Sequence, residues 1–318
     1  MYDKEVWRDG KANSKRYCKT DGGEKVKYVI TGHKGLIGTY LKQRLDKDGH
    51  ECILQIDQRE GFDVCDLLFK EYDVSKPVDI FFHFCAQCRI NESIAHPILP
   101  HKNNADGILA VLEFCRKHKI PKIVVASSSR VLSPERNPYV ASKIYVEEMT
   151  KAYADCYGIE YIIVRPSTVY GPMVDFTSRL INNWLTAAFK GEELKLYGTD
   201  KKTLDFTYVT DFVDGVMLAV KQRQWNKEYN ISGNKERRLF DLAHFIIKQT
   251  KSKSKLKMSI AEIAQPQQVK VDISNLEAIG FNPKVNIYEG VKKMIKFYKK
   301  NPKAWRDYED KGAKYYEK

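Results

Sequence analysis

The 318-residue sequence predicts an α/β fold built on a doubly wound parallel sheet, and three observations predict it. A short β-branched run, Val26 to Ile30, breaks at glycine into a helical stripe of Leu36, Ile37, Tyr40, Leu41 and Leu45. Four more apolar runs, Cys52 to Ile56, Val78 to Phe84, Lys122 to Ala126 and Tyr161 to Val164, follow in order. Between them lie segments of helical character, Asn104 to Lys119 and Pro138 to Tyr157. The run VDIFFHF is apolar almost throughout, as in a strand covered on both faces. Strands alternating with helices make a parallel sheet whose ligands sit at the carboxyl ends of its strands.

Composition narrows the partners. Lys and Arg number 54 against 41 Asp and Glu, a net charge of +13. Much of the excess is scattered, or sits in Lys251 to Lys257 and the tail from Lys299, which reads as solvated surface rather than a nucleic-acid groove. No run approaches the ~18 apolar residues of a membrane span, and the polar start has no signal-peptide core, so a cytoplasmic location and no membrane partner are expected. The seven cysteines are an odd number, and reduced thiols are expected. His83, Cys85 and Cys88 form an HxCxxC that could begin a zinc site. No second pair completes a tetrahedral shell, so no metal is expected.

Residues 1–25 are polar and aperiodic and read as a flexible or surface-draped extension. The glycine turn comes next. Gly32 makes a turn unhindered by Cβ, Gly35 lets the backbone approach a pyrophosphate, and Gly38 packs the helix on the strand. Around Lys34, Leu36 and Ile37 the unpaired N–H groups of the helix start would face the phosphates. Asp57 ends the second apolar run and suits the ribose hydroxyls, which points to NAD rather than NADP; Arg59 keeps NADP as the lesser alternative. A P-loop is excluded, since no Lys followed by Ser or Thr comes after the last glycine. Asp63 or Asp66 could meet the adenine amino group, or be an ordinary loop carboxylate. His83 reads as a hydrogen-bonded structural histidine.

The strand Lys122 to Ala126 delivers Ser127, Ser128 and Ser129 to the carboxyl edge of the sheet. Asn137 is a good helix cap and Pro138 a good first residue, which sets Tyr139 in the first turn and Lys143 one turn later on the same face. Lys143, the helix dipole and a nicotinamide cation would lower the Tyr139 pKa, letting it take a hydroxyl proton while hydride passes to NAD.

TGHKGLIG, Asp57, HFCAQCRINESIAHP, NADG, SSSRV, YVASK and RPSTVYGP, in that order, resemble the extended short-chain dehydrogenase/reductase family, in its nucleotide-sugar epimerase and dehydratase branch. The resemblance covers about residues 26–300, including KLYGTDKKTLDFTYVTD and DISNLEAIGFNP. It implies a Rossmann-type domain over 26–169 that holds the cofactor and the catalytic residues. A smaller α/β substrate domain follows, mainly over 170–300 with segments that can interleave with the first, and then a basic and polar tail over 301–318. Within the substrate domain it implies a helix from about Thr177, strands near Leu194 and Phe206, and helices near Asp211, Leu239 and Ile287. It gives Ser128, Tyr139, Lys143 and Asn104 as the catalytic tetrad. The cofactor surface adds Val64, Phe84, Cys85, Ala86, Ser127, Arg165 and Pro166 to the glycine turn, Asp57 and Asp63.

At the substrate end the family pattern breaks. Thr168 stands where the family has asparagine, and Leu204 and Gln265 where it has arginines, so three groups that grip a nucleotide diphosphate are gone. Arg89, Arg179, Lys201 or Lys202 could replace them, with Gln87, Ser128, Ser129, Arg130, Thr168 and Tyr197 completing the substrate surface. Ser129 and Arg130 also replace the acidic pair of a 4,6-dehydratase, and a decarboxylase would keep glutamate at Arg130. What the resemblance leaves is reversible oxidation of a sugar hydroxyl by NAD: a sugar-nucleotide epimerase acting at C4, or alternatively a 4-ketoreductase or dehydrogenase. A silent cofactor-binding scaffold is the reading of a different class. The resemblance further implies a homodimer paired through Asn104 to Lys119 and Pro138 to Tyr157. The stripe Ile108, Val111, Leu112 and Cys115 suits such a seam or this chain's own sheet.

Overall fold

The computed structural model describes residues 25–74, 76–173, 179–266 and 269–306. Eleven strands run, in order, β1 Lys27–Thr31, β2 Glu51–Ile56, β3 Ile80–His83, β4 Lys122–Ala126, β5 Glu160–Pro166, β6 Thr168–Tyr170, β7 Leu194–Tyr197, β8 Thr203–Tyr208, β9 Lys227–Ile231, β10 Glu236–Arg238 and β11 Leu256–Ser259 among the described residues. The helices are α1 Leu36–Lys47, α2 Ile90–Ala95, α3 Ile98–Pro100, α4 Gly107–Lys117, α5 Pro138–Tyr157, α6 Leu180–Lys190, α7 Val209–Lys221, α8 Leu239–Thr250, α9 Ser274–Glu277, α10 Ile287–Lys300 and α11 Lys303–Arg306.

Six parallel strands form the main sheet in the order β2-β1-β3-β4-β5-β9. Alternate residues of each strand point to opposite faces, and both faces are buried. Tyr28, Ile30, Phe82 and Val124 meet Leu41 of α1 and Phe212 and Val216 of α7, whereas Val29, Phe81, Ile123 and Val125 meet Ile108, Val111 and Leu112 of α4 and Val146 of α5. The stripe Ile108, Val111, Leu112 and Cys115 therefore faces this chain's own sheet, with each residue fully buried. The chain leaves β1 toward β2 on one side and returns to β3 on the other, so a crevice opens at that switch point, beyond the carboxyl ends of the strands.

Residues after 170 serve both layers. The sixth strand of the main sheet is β9, and α7 packs against α1. The remainder surrounds a second core, with Trp184, Phe206, Leu242, Val291 and Met294, over the small sheets β10-β8-β6 and β11-β7. Helix α4 is shorter than its sequence suggests. Residues His101–Asp106 form a π-helical turn before it, and that wider turn carries Asn104. Residues 1–24, the expected helix start at Thr177 and the tail beyond 306 lie outside the described residues.

Candidate active site

The glycine turn joins β1 to α1 with no room for side chains. Gly32 has φ +76°, and a Cβ there would lie 2.6 Å from the backbone nitrogen of Cys85; at Gly38 it would lie 2.1 Å from the Gly32 carbonyl oxygen. Gly35 caps α1, and no side chain bonds the helix start, so the first-turn N–H groups at Leu36 and Ile37 border the cleft. Asp57, 8% exposed, accepts from the N–H of Lys34 at 2.9 Å and of Arg59 at 3.0 Å and borders the same cleft. Asp63 caps the next turn through the Cys65 N–H at 3.0 Å, a bond that holds its carboxyl below the ordinary range. Asp63, Val64, Phe84, Cys85, Ala86 and Pro166 line the cleft. An uncapped helix start aimed at a wall that also holds a carboxylate fits a dinucleotide: N–H groups for the pyrophosphate, Asp57 for the ribose.

Two expected cofactor residues are engaged elsewhere. Lys34 points its ammonium at Glu60, 2.7 Å away, and is not part of the cleft lining. Arg165 is also outside the lining; its guanidinium binds both oxygens of Glu147, at 2.8 and 2.5 Å, and also Glu228. Ser127 lines the cleft, yet its hydroxyl donates to Glu147 at 2.5 Å. This ion-pair network braces β5 against α5, a structural task for which Arg165 is suited by its two-pronged fork. The histidine of the HxC motif is structural too: His83, 1% exposed, bonds the Thr31 hydroxyl at 2.9 Å, and burial draws its pKa down to about 3.

The candidate catalytic group stands where β4 meets α5. Asn137 Oδ1 accepts from the Val140 N–H at 3.0 Å and Pro138 opens the helix, so Tyr139 and Lys143 fall one turn apart, both lining the cleft. Ser128 lies opposite, hydrogen-bonded to Tyr139. Lys143 Nζ donates to the Ala126 carbonyl at 2.9 Å. The lowering of the Tyr139 pKa expected from sequence includes the charge of a bound nicotinamide, and the chain by itself has a different balance. Burial pushes the phenol up to about 12, against the Ser128 hydrogen bond and the Arg179 and Arg130 charges, which pull it down. The same burial draws Lys143 down to about 8. In the chain alone, removal from water outweighs the neighbouring charges for both groups.

Asn104 does not line the cleft. Its side chain, 1% exposed, accepts from the Gln87 N–H at 2.8 Å, donates to the Gln87 carbonyl at 3.0 Å and donates to Ser142 Oγ at 2.8 Å. It thereby fixes the loop after β3 to the catalytic helix, a positioning role that the π-helical turn makes reachable.

In the other half of the cleft, Gln87, Arg89, Ser128, Arg130, Thr168, Arg179, Tyr197 and Lys202 line the wall with Leu204 and Gln265, whereas Ser129 and Lys201 do not. Lys201 is solvent-exposed. Lys202, 4% exposed, donates to the Tyr197 carbonyl at 3.0 Å and pairs with Glu262 at 3.2 Å. Glu262 was not anticipated from sequence. It also accepts from Asn91 at 2.9 Å; Asn91 in turn accepts from Gln265 at 2.8 Å, and Asn137 holds the Ala264 carbonyl at 3.1 Å. Residues 262–265 thus strap the two halves together. Glu262 lies three positions before Gln265, in a segment without periodicity, so only the missing arginine at 265 signalled that this stretch matters. The whole cleft has a volume of about 840 Å³.

A parallel sheet with a glycine turn, an acidic residue at the end of β2 and Ser, Tyr and Lys at the end of β4 defines an enzyme of the dinucleotide-dependent oxidoreductase type. The model of the NAD dependent epimerase/dehydratase family matches residues 28–232, and the chain belongs to that family. Among curated relatives, a Methanocaldococcus jannaschii protein that carries the provisional name UDP-glucose 4-epimerase is 27% identical, over 86% of this chain and 98% of its own length. The human dTDP-D-glucose 4,6-dehydratase is 24% identical over 91% of this chain and 94% of its own. Among solved structures, the fold matches Thermotoga maritima UDP-glucose 4-epimerase with UDP-glucose at a TM-score of 0.80 and 21% identity, covering 87% of this chain and 99% of that one. It also matches the Thermus thermophilus UDP-glucose 4-epimerase complex with NAD at 0.77 and 23% identity, covering 86% and 99%.

Proposed function

We propose that this protein is an NAD-dependent sugar-nucleotide 4-epimerase. The observation that carries the reading is Ser128, Tyr139 and Lys143 together on the cleft wall, with serine and arginine at the two positions after Ser128 in place of an acid pair. Ser128 holds the reacting sugar oxygen and Tyr139 takes its proton. Lys143, held by the Ala126 carbonyl, keeps positive charge near the developing phenolate. When bound, the oxidised dinucleotide supplies the hydride acceptor and a positive charge that favours phenolate. Leu36 and Ile37 N–H groups would hold its pyrophosphate and Asp57 its ribose. Asp57 supports NAD over NADP, since a carboxylate repels a 2′-phosphate and the nearby Lys34 is neutralised by Glu60. A keto sugar that turned within the cleft and regained hydride on its other face would be inverted at C4. Release of the keto sugar would instead make a dehydrogenase, or in reverse a ketoreductase.

Arg89, Arg179 and Lys202 are cations of the cleft wall that would meet a nucleotide diphosphate. The division of labour between the two layers, and a homodimer, belong to the same proposal; light scattering on the purified chain checks the second. The decisive test is mass analysis of nucleotides released on denaturing fresh protein, then turnover of a nucleotide-sugar panel. Stoichiometric NAD with interconversion of C4 epimers is expected. An empty protein that consumes NADH with 4-keto sugars would replace the epimerase reading by the reductase one.

A further inference from the structure

Arg130 is a cleft residue whose chemistry the reaction above leaves unused. Its N–H reaches Ser128 Oγ at 3.2 Å, so its side chain departs two residues beyond the catalytic hydroxyl, into the cleft that Ser128 and Tyr139 also line. Nη1 is shut off from solvent and has no hydrogen-bond partner among the described residues. Tyr139, Glu135 and Glu262 act on the guanidinium through their charge, but burial prevails and draws its pKa below the ordinary value. Both acids also have partners of their own, Glu262 in Lys202 and Asn91, and Glu135 in the Ser133 hydroxyl.

A guanidinium nitrogen shielded from water with its donor unmet is costly to fold, and a planar anion that offers its oxygens to the fork relieves that cost. A sugar hydroxyl offers one neutral oxygen. A diphosphate offers anionic oxygens, but the sugar-nucleotide reading gives it Arg89, Arg179 and Lys202. We infer that Arg130 sets the class of sugar: it receives a carboxylate carried on the ring next to the reacting hydroxyl, and the substrate is a nucleotide-linked uronic acid. This rests on the sugar-nucleotide reading above.

The test is calorimetric binding of UDP-glucuronate and UDP-glucose, with UDP alone as the diphosphate probe, to the full chain carrying Tyr139→Phe so that neither sugar turns over. Tighter binding of the uronate by about 30-fold or more is expected, and the added change Arg130→Gln should shrink that preference to within about threefold. Arg130→Lys, which keeps charge without the fork, should fall between. Retained NAD in each variant reports that it is folded. Equal binding of the two sugars before Arg130 is changed would overturn the inference, and so would an equal loss for both sugars and UDP in Arg130→Gln, which would assign Arg130 to the diphosphate. Turnover is read separately in the unmodified chain. Uronate preference without C4 inversion would remove the epimerase reading and leave Arg130's role standing.

Discussion

The end of the cleft proposed for the dinucleotide is centred on one stretch, Gly32 to Asp57, which offers backbone N–H groups and the Asp57 carboxylate, with Asp63, Val64, Phe84, Cys85, Ala86 and Pro166 around it. The sugar end gathers Arg130, Arg179, Lys202 and Glu262 from four distant segments and works through side-chain charge. Backbone contacts tolerate change in side chains as long as the turn survives. Charge contacts retune with each substitution. Such a difference would let one cleft keep its glycine turn while the residues of its other end change.

The largest expected effect separates chemistry from both ends. Tyr139→Phe removes the proton acceptor and should lower kcat by roughly 10² to 10⁴ while leaving NAD content unchanged. Rapid-quench turnover beside nucleotide release checks it, and a biological role that survives the change would support the silent-scaffold reading instead. Gly38→Ala breaks the dinucleotide end. Its Cβ would lie 2.1 Å from the Gly32 carbonyl oxygen, so β1 and α1 must separate. Loss of bound NAD and about 2–4 kcal/mol of stability, read from urea unfolding, are expected.

Glu262→Ala breaks the sugar end alone. Lys202, 4% exposed, is left without its carboxylate, and Asn91 loses an acceptor. About 2–3 kcal/mol of stability and a raised KM for nucleotide sugar are expected, with NAD retained. Loss of NAD as well would mean that the two ends are not separable.

Lys143 gives a smaller effect that depends on pH. Its pKa is about 8 in the folded chain, below its ordinary value of 10.5. Below pH 8 it is charged in both folded and unfolded chains, and folding bears the full cost of burying that charge. Between pH 8 and 10.5 the unfolded chain binds more protons, so this group's contribution makes the fold more stable as pH rises. Lys143→Met should remove that slope. At pH 7 it should also raise stability by about 1–2 kcal/mol, the gain being reduced by the stranded Ala126 carbonyl, while activity falls. Unfolding midpoints at pH 7 and 10 check the sign.

What could be read without coordinates follows the same division. β4 and α5 begin and end where their sequence says, because Ala126 precedes a run of serines, Asn137 and Pro138 open a helix, and Gly158 closes it in the left-handed conformation. The glycine turn and Asp57 were legible for the same reason: their interactions are local. Arg165 was not, since nothing nearby in sequence announces that Glu147 and Glu228 will claim it.

By itself, then, the sequence determined the alternating elements, the cofactor turn and the Ser, Tyr and Lys positions, all set by backbone geometry within a few residues. Only the tertiary structure decided that β9 completes the main sheet, that the α4 stripe faces its own sheet, and that Glu262 reaches Lys202 and Asn91. It also decided the protonation balance, with Tyr139 raised and Lys143 lowered. Burial fixes these last terms, and burial depends on which distant segments close over a group, a property no local pattern of residues encodes.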